Sequence, residues 1–217
     1  DVTDPYTPVI LTGADASGFQ DGPTARAYLV TGPGVLQTPT VVAHAPIALT
    51  AILGADALYI APEQFLSGLD PLLQLRRTQG YQVTTVPVQA IYDGWSFGQV
   101  SAEAIRTFLR YAAANWQPAP RAVTLVGDGT WDPHNYEKRD SINFMPPYLA
   151  KVDPWLVEAA CEPCYAQLDG DDPVTGDDPD GHFFAADLWI GRLPVKNTSD
   201  LAGIVNKLVR YEQATTL

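Results

Sequence analysis

Short runs of strand-forming residues, separated by segments of helical periodicity, dominate the sequence from residue 55 onward. The strand-like runs lie at 57–61, 81–86, 122–126 and 185–190. The helical segments lie at 63–79, 101–116 and 199–211. Strands that alternate with helices are typical of a parallel sheet, because each right-handed crossover returns the chain across a sheet face. We therefore predict an α/β fold, with a doubly wound, mostly parallel sheet of four strands and flanking helices on both faces.

Residues with known preferences for helix ends mark the limits of these helices. Ser101 is the expected N-cap of the second helical segment, and Glu103 places an acid in its first turn. Ser199 is the expected cap of the last segment, although it also completes a formal glycosylation sequon. Pro71 is expected to divide the first segment or to begin a second helix within it, and Gly80 to end it.

Residues 1–54 follow a different pattern, in which proline and glycine recur between short β-prone runs. Such a composition predicts short strands bounded by turns. We expect residues 1–54 to form a β-rich segment, either the edge of a preceding β-domain or β-ribbons, and residues 55–217 to form the α/β domain. The chain starts at Asp1 without a basic and apolar leader, which indicates a mature or excised piece.

The charge and the apolar content of the chain exclude some partners. Its formal net charge is -12 at pH 7, so its surface repels phosphate backbones and nucleic-acid binding is not expected. No run of about 18 apolar residues occurs, so no membrane span is expected. Few lysines, many aspartates and only 2 cysteines fit an extracellular bacterial protein.

Two aspartates follow the third strand-like run, at the sheet edge where open α/β folds bind their ligands. Asp128 lies between two glycines directly after the run, and Asp132 follows in the same loop. Glycines allow a tight or left-handed backbone there, and the pattern is neither a phosphate loop nor a dinucleotide fingerprint. We expect Asp128 and Asp132 at a cleft edge, where Asp128 either supports a turn or a domain contact or acts directly in a site.

An acidic loop separates the third strand-like run from the fourth. Carboxylates that crowd in one loop repel one another unless a cation gathers them, and oxygen ligands favour Ca²⁺ over Zn²⁺. The spacing does not match an EF-hand. Two interpretations stay open, a structural calcium site and a solvated acidic loop. The candidate ligands are Asp169, Asp171, Asp172, Asp177, Asp178 and Asp180.

Cys161 and Cys164 form a C-x-x-C in the same long loop. One such pair is half of a zinc site, and the sequence has no second pair. A redox pair is expected to open a helix after a strand, which does not fit a loop that also carries Pro163. A small disulfide is the leading interpretation, with free thiols as the alternative. Neither cysteine follows a buried strand, so a nucleophile paired with His134 or His182 is not expected.

A set of short strings occurs in a fixed order along residues 54–213. They are GADALYIAP from residue 54, RRTQGY from residue 76, VGDGTWDP from residue 126, YAQLDGDD from residue 165, IGRLPV from residue 190 and RYE from residue 210. Together they resemble the gingipain-type cysteine endopeptidase family. The resemblance implies two caspase-like α/β subdomains in tandem, the second carrying the catalytic Cys and a catalytic His in a Gly-His-Gly turn.

This chain has no Gly-His-Gly, and its two cysteines fall in another part of the pattern, so no catalytic residue is assigned to it. The resemblance implies a supporting N-terminal subdomain of a cysteine endopeptidase that is secreted or on the bacterial cell surface, with structural calcium. Its partners would be the C-terminal catalytic subdomain of the same polypeptide and protein or peptide substrates. The alternative is a non-catalytic, calcium-stabilised adhesion or secretion-associated module with the same fold. A metal-dependent hydrolase using Asp128 is a third reading.

Overall fold

The computed structural model divides the chain into two compact units, Asp1–His44 and Ala45–Leu217. It describes residues 1–4, 7, 9–10, 23–30, 38, 40–41, 47–52, 54–133, 135–139, 141–153, 155, 157–169 and 186–214. In the first unit the described residues include no helix or strand, so the predicted β-rich character of residues 1–54 stays a prediction. The second unit contains Leu49, only 3% exposed, in its core. The predicted boundary after residue 54 also stays a prediction.

A parallel sheet of four strands forms the centre of the second unit, in the order β2–β1–β3–β6. Its strands are β1 (Ala57–Ala61), β2 (Val83–Pro87), β3 (Ala122–Val126) and β6 (Trp189–Leu193). Every residue of β1 is buried, as a central strand covered on both faces requires. The predicted four-stranded parallel sheet is therefore confirmed.

Helices cover both faces of this sheet, as predicted. The helices are α1 (Glu63–Leu66), α2 (Asp70–Thr78), α3 (Val88–Trp95), α4 (Ala102–Asn115) and α5 (Thr198–Ala214). Side chains of Leu58 and Ile60 share one apolar cluster with α3 and α4. Tyr59 and Ala61, which point the other way, share a second cluster with α1, α2 and α5. The alternation of side chains along β1 thus divides the core into two layers.

The last strand begins later than the predicted range 185–190. The N–H of Trp189 donates to the carbonyl oxygen of Arg121 and makes the first bond of the β3–β6 ladder. Asp187 is held elsewhere, because its N–H donates to the carbonyl oxygen of Ala166 and its carboxylate accepts the N–H of Leu168 (2.7 Å). Residues 186–188 therefore form a connection, and the strand starts at Trp189.

The structure confirms one predicted helix cap and shows that another is wrong. Ser101 caps α4, since its hydroxyl accepts the N–H of Ala104 at 3.1 Å. The predicted cap Ser199 is wrong, because Asn197 accepts the N–H of Asp200 at 2.9 Å and Ser199 lies inside the first turn of α5. Pro71 lies in the first turn of α2, directly after a 3-10 turn over Ser67–Leu69, so the first helical segment is divided as expected.

The sequence did not indicate α3 or a small antiparallel hairpin. The hairpin consists of β4 (Leu149–Asp153) and β5 (Val157–Ala160), within the long loop predicted between the third and fourth strand-like runs. Alanine and charged residues make up much of both strands, and such residues have low strand propensity. Helix α3 begins directly after β2 and contains Gly94, which lowers its helical propensity.

A pair of charged side chains joins α2 to α5 at the end of the sheet where the strands begin. The guanidinium of Arg76 donates to Glu212 Oε1 at 2.8 Å, and Gln79 Nε2 donates to Glu212 Oε2 at 2.9 Å. These contacts, chiefly the hydrogen bond from Arg76, lower the pKa of Glu212 below its usual value. The carboxylate is thus stabilised in its charged form by folding.

We expect Glu212→Gln to lower the free energy of unfolding at pH 7 by about 1 kcal/mol, since the pair is partly exposed to solvent. A carboxylate whose pKa falls on folding stabilises the protein above its unfolded pKa and loses this effect as the pH falls through the folded value. The deficit of the variant should therefore be full at neutral pH and vanish in acid. Urea unfolding of both proteins from pH 7 to pH 3 measures it, with the exposed Glu158→Gln as control; an equal deficit at all pH values would contradict the assignment.

Candidate functional site

The turn after β3 brings Asp128 to the carboxyl edge of the sheet. The N–H of Gly127 donates to the carbonyl oxygen of Leu193 (2.9 Å), and the N–H of Asp128 donates to that of Val195 (2.9 Å). Gly127 has a φ of +128°, a backbone conformation that residues with a side chain rarely adopt. A Cβ on Gly129 would lie 2.4 Å from the carbonyl oxygen of Met145. Both glycines are therefore required by the close approach of another segment.

That segment, residues 143–147, is called the strap here. The N–H groups of Phe144 and Met145 donate to the carbonyl oxygen of Asp128 at 3.0 and 3.1 Å. Met145 is fully buried, with 0% exposure. The turn and the strap consequently form one layer over the ends of β3 and β6.

Arg192, on β6, fastens this layer to the sheet. Its guanidinium, which has only hydrogen-bond donors, donates four hydrogen bonds. Its side chain is only 12% exposed. The acceptors are the carbonyl oxygens of Gly127 (3.0 Å), Met145 (2.7 Å) and Pro146 (3.1 Å) and the carboxylate of Glu162 (2.8 Å). One largely buried cation thus joins the turn, the strap and a third segment. We call this arrangement the Arg192 clamp.

The third segment is the 3-10 helix Glu162–Ala166, which carries the C-x-x-C. In the structure Cys161 and Cys164 are joined by a disulfide, with their Cα atoms 5.4 Å apart. The hydroxyl of Tyr165 donates to the carbonyl oxygen of Pro146, and burial raises the pKa of this phenol far above its usual value. Tyr165 therefore stays a neutral donor to the strap. The disulfide joins Cys161, directly before this 3-10 helix, to Cys164 within it.

The carboxylate of Asp128 has both a local and an outward-facing contact. Its Oδ1 accepts the N–H of Gly129 at 3.0 Å, and its Oδ2 lies 3.5 Å from Lys196 Nζ. The side chain faces a cleft of about 460 Å³ that is also lined by Thr130, Trp131 and Ser141. Asp128 supports the turn and borders open space, so the structure leaves a direct site role available to it.

Asp132 caps the next turn of the chain. Its two carboxylate oxygens accept the N–H groups of Tyr136 (2.9 Å) and Glu137 (2.8 Å). Its own N–H donates to Thr130 Oγ1 at 3.1 Å. The carboxylate of Asp132 is thus used in holding the loop beside the cleft.

The acidic loop is described only at its base. Asp169 is exposed there, whereas Asp171, Asp172, Asp177, Asp178 and Asp180 lie outside the described residues. The base is held by Arg106, whose Nε donates to the carbonyl oxygen of Gln167 (2.7 Å), and by Arg110, whose Nε donates to that of Leu168 (2.8 Å). Among the residues that the structure describes, no group of three or more acidic, histidine or cysteine side chains could hold a metal. Calcium binding stays a prediction.

Sequence reasoning placed Asp128 at this edge but assigned no role to Arg192, Glu162, Tyr165 or the strap. A signal was present, because an arginine inside an otherwise apolar strand needs buried acceptors. His134 and His182 lie outside the described residues. Within the described ranges, no helix is both long enough and apolar enough to cross a membrane.

Comparison with known proteins identifies a matching family and solved structures with a similar fold. The model of the family described as Peptidase family C25 matches residues 52–217. No curated protein matches the chain. Solved structures also resemble it, and the identities of the three described next show the fold alone.

Dimeric latent PorU from Porphyromonas gingivalis is 21% identical, with a TM-score of 0.59 over 73% of this chain and 16% of that one. The complex of the pro- and mature domains of RgpB from the same organism is 19% identical, with a TM-score of 0.50 over 71% and 28%. The Arg-specific cysteine proteinase gingipain R is 16% identical, with a TM-score of 0.51 over 77% and 30%. The chain thus spans less than a third of each of these structures.

Proposed function

Because the chain belongs to peptidase family C25, we propose that it is the N-terminal, supporting subdomain of a secreted gingipain-like cysteine endopeptidase. In this proposal the catalytic Cys and His lie C-terminal to Leu217 in the same polypeptide. The supporting subdomain packs against the catalytic one, and its edge at Asp128 helps to shape the cleft for protein or peptide substrates.

The disulfide carries the proposal. The nucleophile of a cysteine peptidase is a thiolate, which a sulfur in a disulfide cannot supply. The sequence contains 2 cysteines, and Cys161 and Cys164 are bonded to each other. Cys164 is also buried, with 2% exposure. A cysteine peptidase that includes this chain must therefore take its nucleophile from elsewhere.

The cleft edge supports the assigned role. Ligands of open α/β sheets bind beyond the carboxyl ends of the strands, where Asp128, the strap and the Arg192 clamp lie. The clamp holds this edge without using any group as an acid, a base or a nucleophile. Such a rigid border fits a part that shapes a cleft for chemistry done by a neighbour.

The disulfide also supports secretion or display at the cell surface. Disulfides form and persist in oxidising compartments outside the cytosol. The composition, with few lysines, many aspartates and only 2 cysteines, agrees with this location.

We expect the purified 217-residue chain to hydrolyse no peptide in a fluorogenic library and to take up no iodoacetamide unless it is first reduced. The longer product of the same reading frame should cleave peptides and keep that activity in a variant with both Cys161→Ala and Cys164→Ala. It should lose activity when a cysteine downstream of a Gly-His-Gly turn is replaced. Hydrolysis by the short chain that disappears with Cys161→Ala would contradict the proposal.

Structural calcium is kept as a part of the proposal, because clustered carboxylates such as those from Asp169 to Asp180 are stable together when a cation neutralises them. Calorimetric titration with Ca²⁺ measures this directly. A thermogram without heat of binding, together with a melting temperature that a chelator leaves unchanged, would remove it.

A further inference from the structure

The hydroxyl of Tyr92 is buried without a hydrogen-bond partner among the residues that the structure describes. Tyr92, on α3, is only 3% exposed, and it belongs to the apolar cluster that also contains Met145 and Tyr165. Burial raises the pKa of its phenol far above the usual value, although the positive charge of Arg192 acts in the opposite direction. The phenol therefore stays neutral and keeps a proton that it can donate. Most buried hydroxyls in folded proteins have a partner, because each has given up its contacts with water.

The carboxylate of Glu162 has an unused acceptor. Its Oε1 accepts the Nε–H of Arg192 at 2.8 Å, whereas its Oε2 is buried and has no partner within the described ranges of the chain. A charged oxygen that lacks a donor in the interior costs more free energy than a neutral hydroxyl that lacks a partner. The interior thus contains one unused donor, on Tyr92, and one unused charged acceptor, on Glu162.

These two groups share their neighbours. Arg192 is bonded to Glu162 and acts on the phenol of Tyr92 through its charge. Tyr165 lies in the same cluster as Tyr92, and its pKa, raised chiefly by burial, also responds to Arg192, Glu162 and Tyr92. Tyr92 and Glu162 therefore approach the Arg192 clamp from two different elements, α3 and the 3-10 helix. Their unused atoms lie in the enclosed surroundings of the clamp.

We propose that the Arg192 clamp binds one water molecule, which accepts a hydrogen bond from the hydroxyl of Tyr92 and donates one to Glu162 Oε2. A molecule that joins these two atoms must accept from a phenol and donate to a carboxylate. An ammonium ion cannot accept, a chloride ion cannot donate, and a metal cation is repelled by the guanidinium of Arg192. Water does both, and buried waters typically bind polar groups that have no partner in the protein. The bridge attaches α3 to the segment that holds the cleft edge.

Replacing Tyr92 by phenylalanine tests the water bridge, because a hydrated and an unpartnered hydroxyl predict opposite changes in stability. If the hydroxyl binds water, Tyr92→Phe loses a hydrogen bond and raises the equilibrium constant of unfolding about tenfold. If the hydroxyl has no partner, its removal relieves the cost of burying it; a variant at least as stable as the wild type therefore overturns the proposal. Urea unfolding at pH 7 measures the constant. Tyr81→Phe, at a residue 47% exposed, is the matched control and should change it less than about twofold.

A double-mutant cycle tests whether one water joins the two side chains. Tyr92→Phe and Glu162→Gln should be non-additive by about threefold or more in the unfolding constant, because each alters one end of the same bridge. Tyr92→Phe and Glu158→Gln, at an exposed glutamate, should be additive. A crystal structure should show a water within about 3.2 Å of both Tyr92 Oη and Glu162 Oε2. Additive effects of the first pair, or density in which these two atoms bond directly to each other, overturn the proposal. None of these outcomes depends on where the catalytic cysteine lies.

Discussion

Replacing Arg192 by alanine will lower the free energy of unfolding by about 3–5 kcal/mol. The guanidinium is largely buried and donates to three carbonyl oxygens and one carboxylate. Its removal leaves the carbonyl oxygens of Gly127 and Met145 without this donor, and it leaves the charge of Glu162 without its cation. The large effect follows because a buried acceptor that loses its donor has already given up its contacts with water.

Urea unfolding followed by circular dichroism measures this loss. Arg192→Lys should recover only part of it, since one ammonium cannot present a planar fork of donors to four acceptors. Arg210→Ala, at an exposed position of α5, is the matched control and should stay within about 0.5 kcal/mol of the wild type. A loss below about 1 kcal/mol in Arg192→Ala would show that the clamp is not a major contributor to stability.

Replacing Gly127 by alanine will cost about 3 kcal/mol or more, from two causes that act together. The φ of +128° is unfavourable for any residue with a Cβ. The added Cβ would also lie 2.8 Å from Phe144 Cβ, so the strap must move. Because the strap is held at Asp128 and by the Arg192 clamp, it cannot move without losing hydrogen bonds.

Gly203→Ala is the matched control for this substitution. Gly203 lies within α5, has open space around the position of a Cβ and has no strained φ, so alanine should raise the free energy of unfolding by about 0.5–1 kcal/mol. The two glycine variants should therefore shift the urea midpoint in opposite directions. A Gly127→Ala protein as stable as the wild type would mean that the turn and the strap can separate freely.

The sheet and its two helical layers were predictable because their signals are local. A run such as Ala122–Val126 is apolar throughout, and α4 shows a cap and a regular apolar face within its own segment. The hairpin β4–β5 and helix α3 were missed because their residues have weak propensities. The cap at Asn197 was missed because three adjacent residues, Asn197, Thr198 and Ser199, could each cap a helix.

The cleft edge was predictable only in part. Asp128 follows a buried strand directly, so topology alone places it at the carboxyl edge. The Arg192 clamp joins residues that are far apart in sequence, at 127, 145, 146 and 162, and no local pattern specifies such contacts. The acidic loop could be a calcium site or a solvated loop, and the two cysteines could be a disulfide or free thiols. The sequence cannot decide between these alternatives, because each depends on which groups meet in space.

The order of the strands has a consequence for chain entropy. β1, β2 and β3 lie within residues 57–126, whereas β6 joins β3 only after the long connection 127–188. Closing a connection of this length costs about 3–4 kcal/mol of conformational entropy. Among the described strands, β6 has β3 as its one neighbour with which to offset that cost. The bonds from Arg192 to the connection itself are of comparable size, and they explain how a distant strand is retained in the sheet.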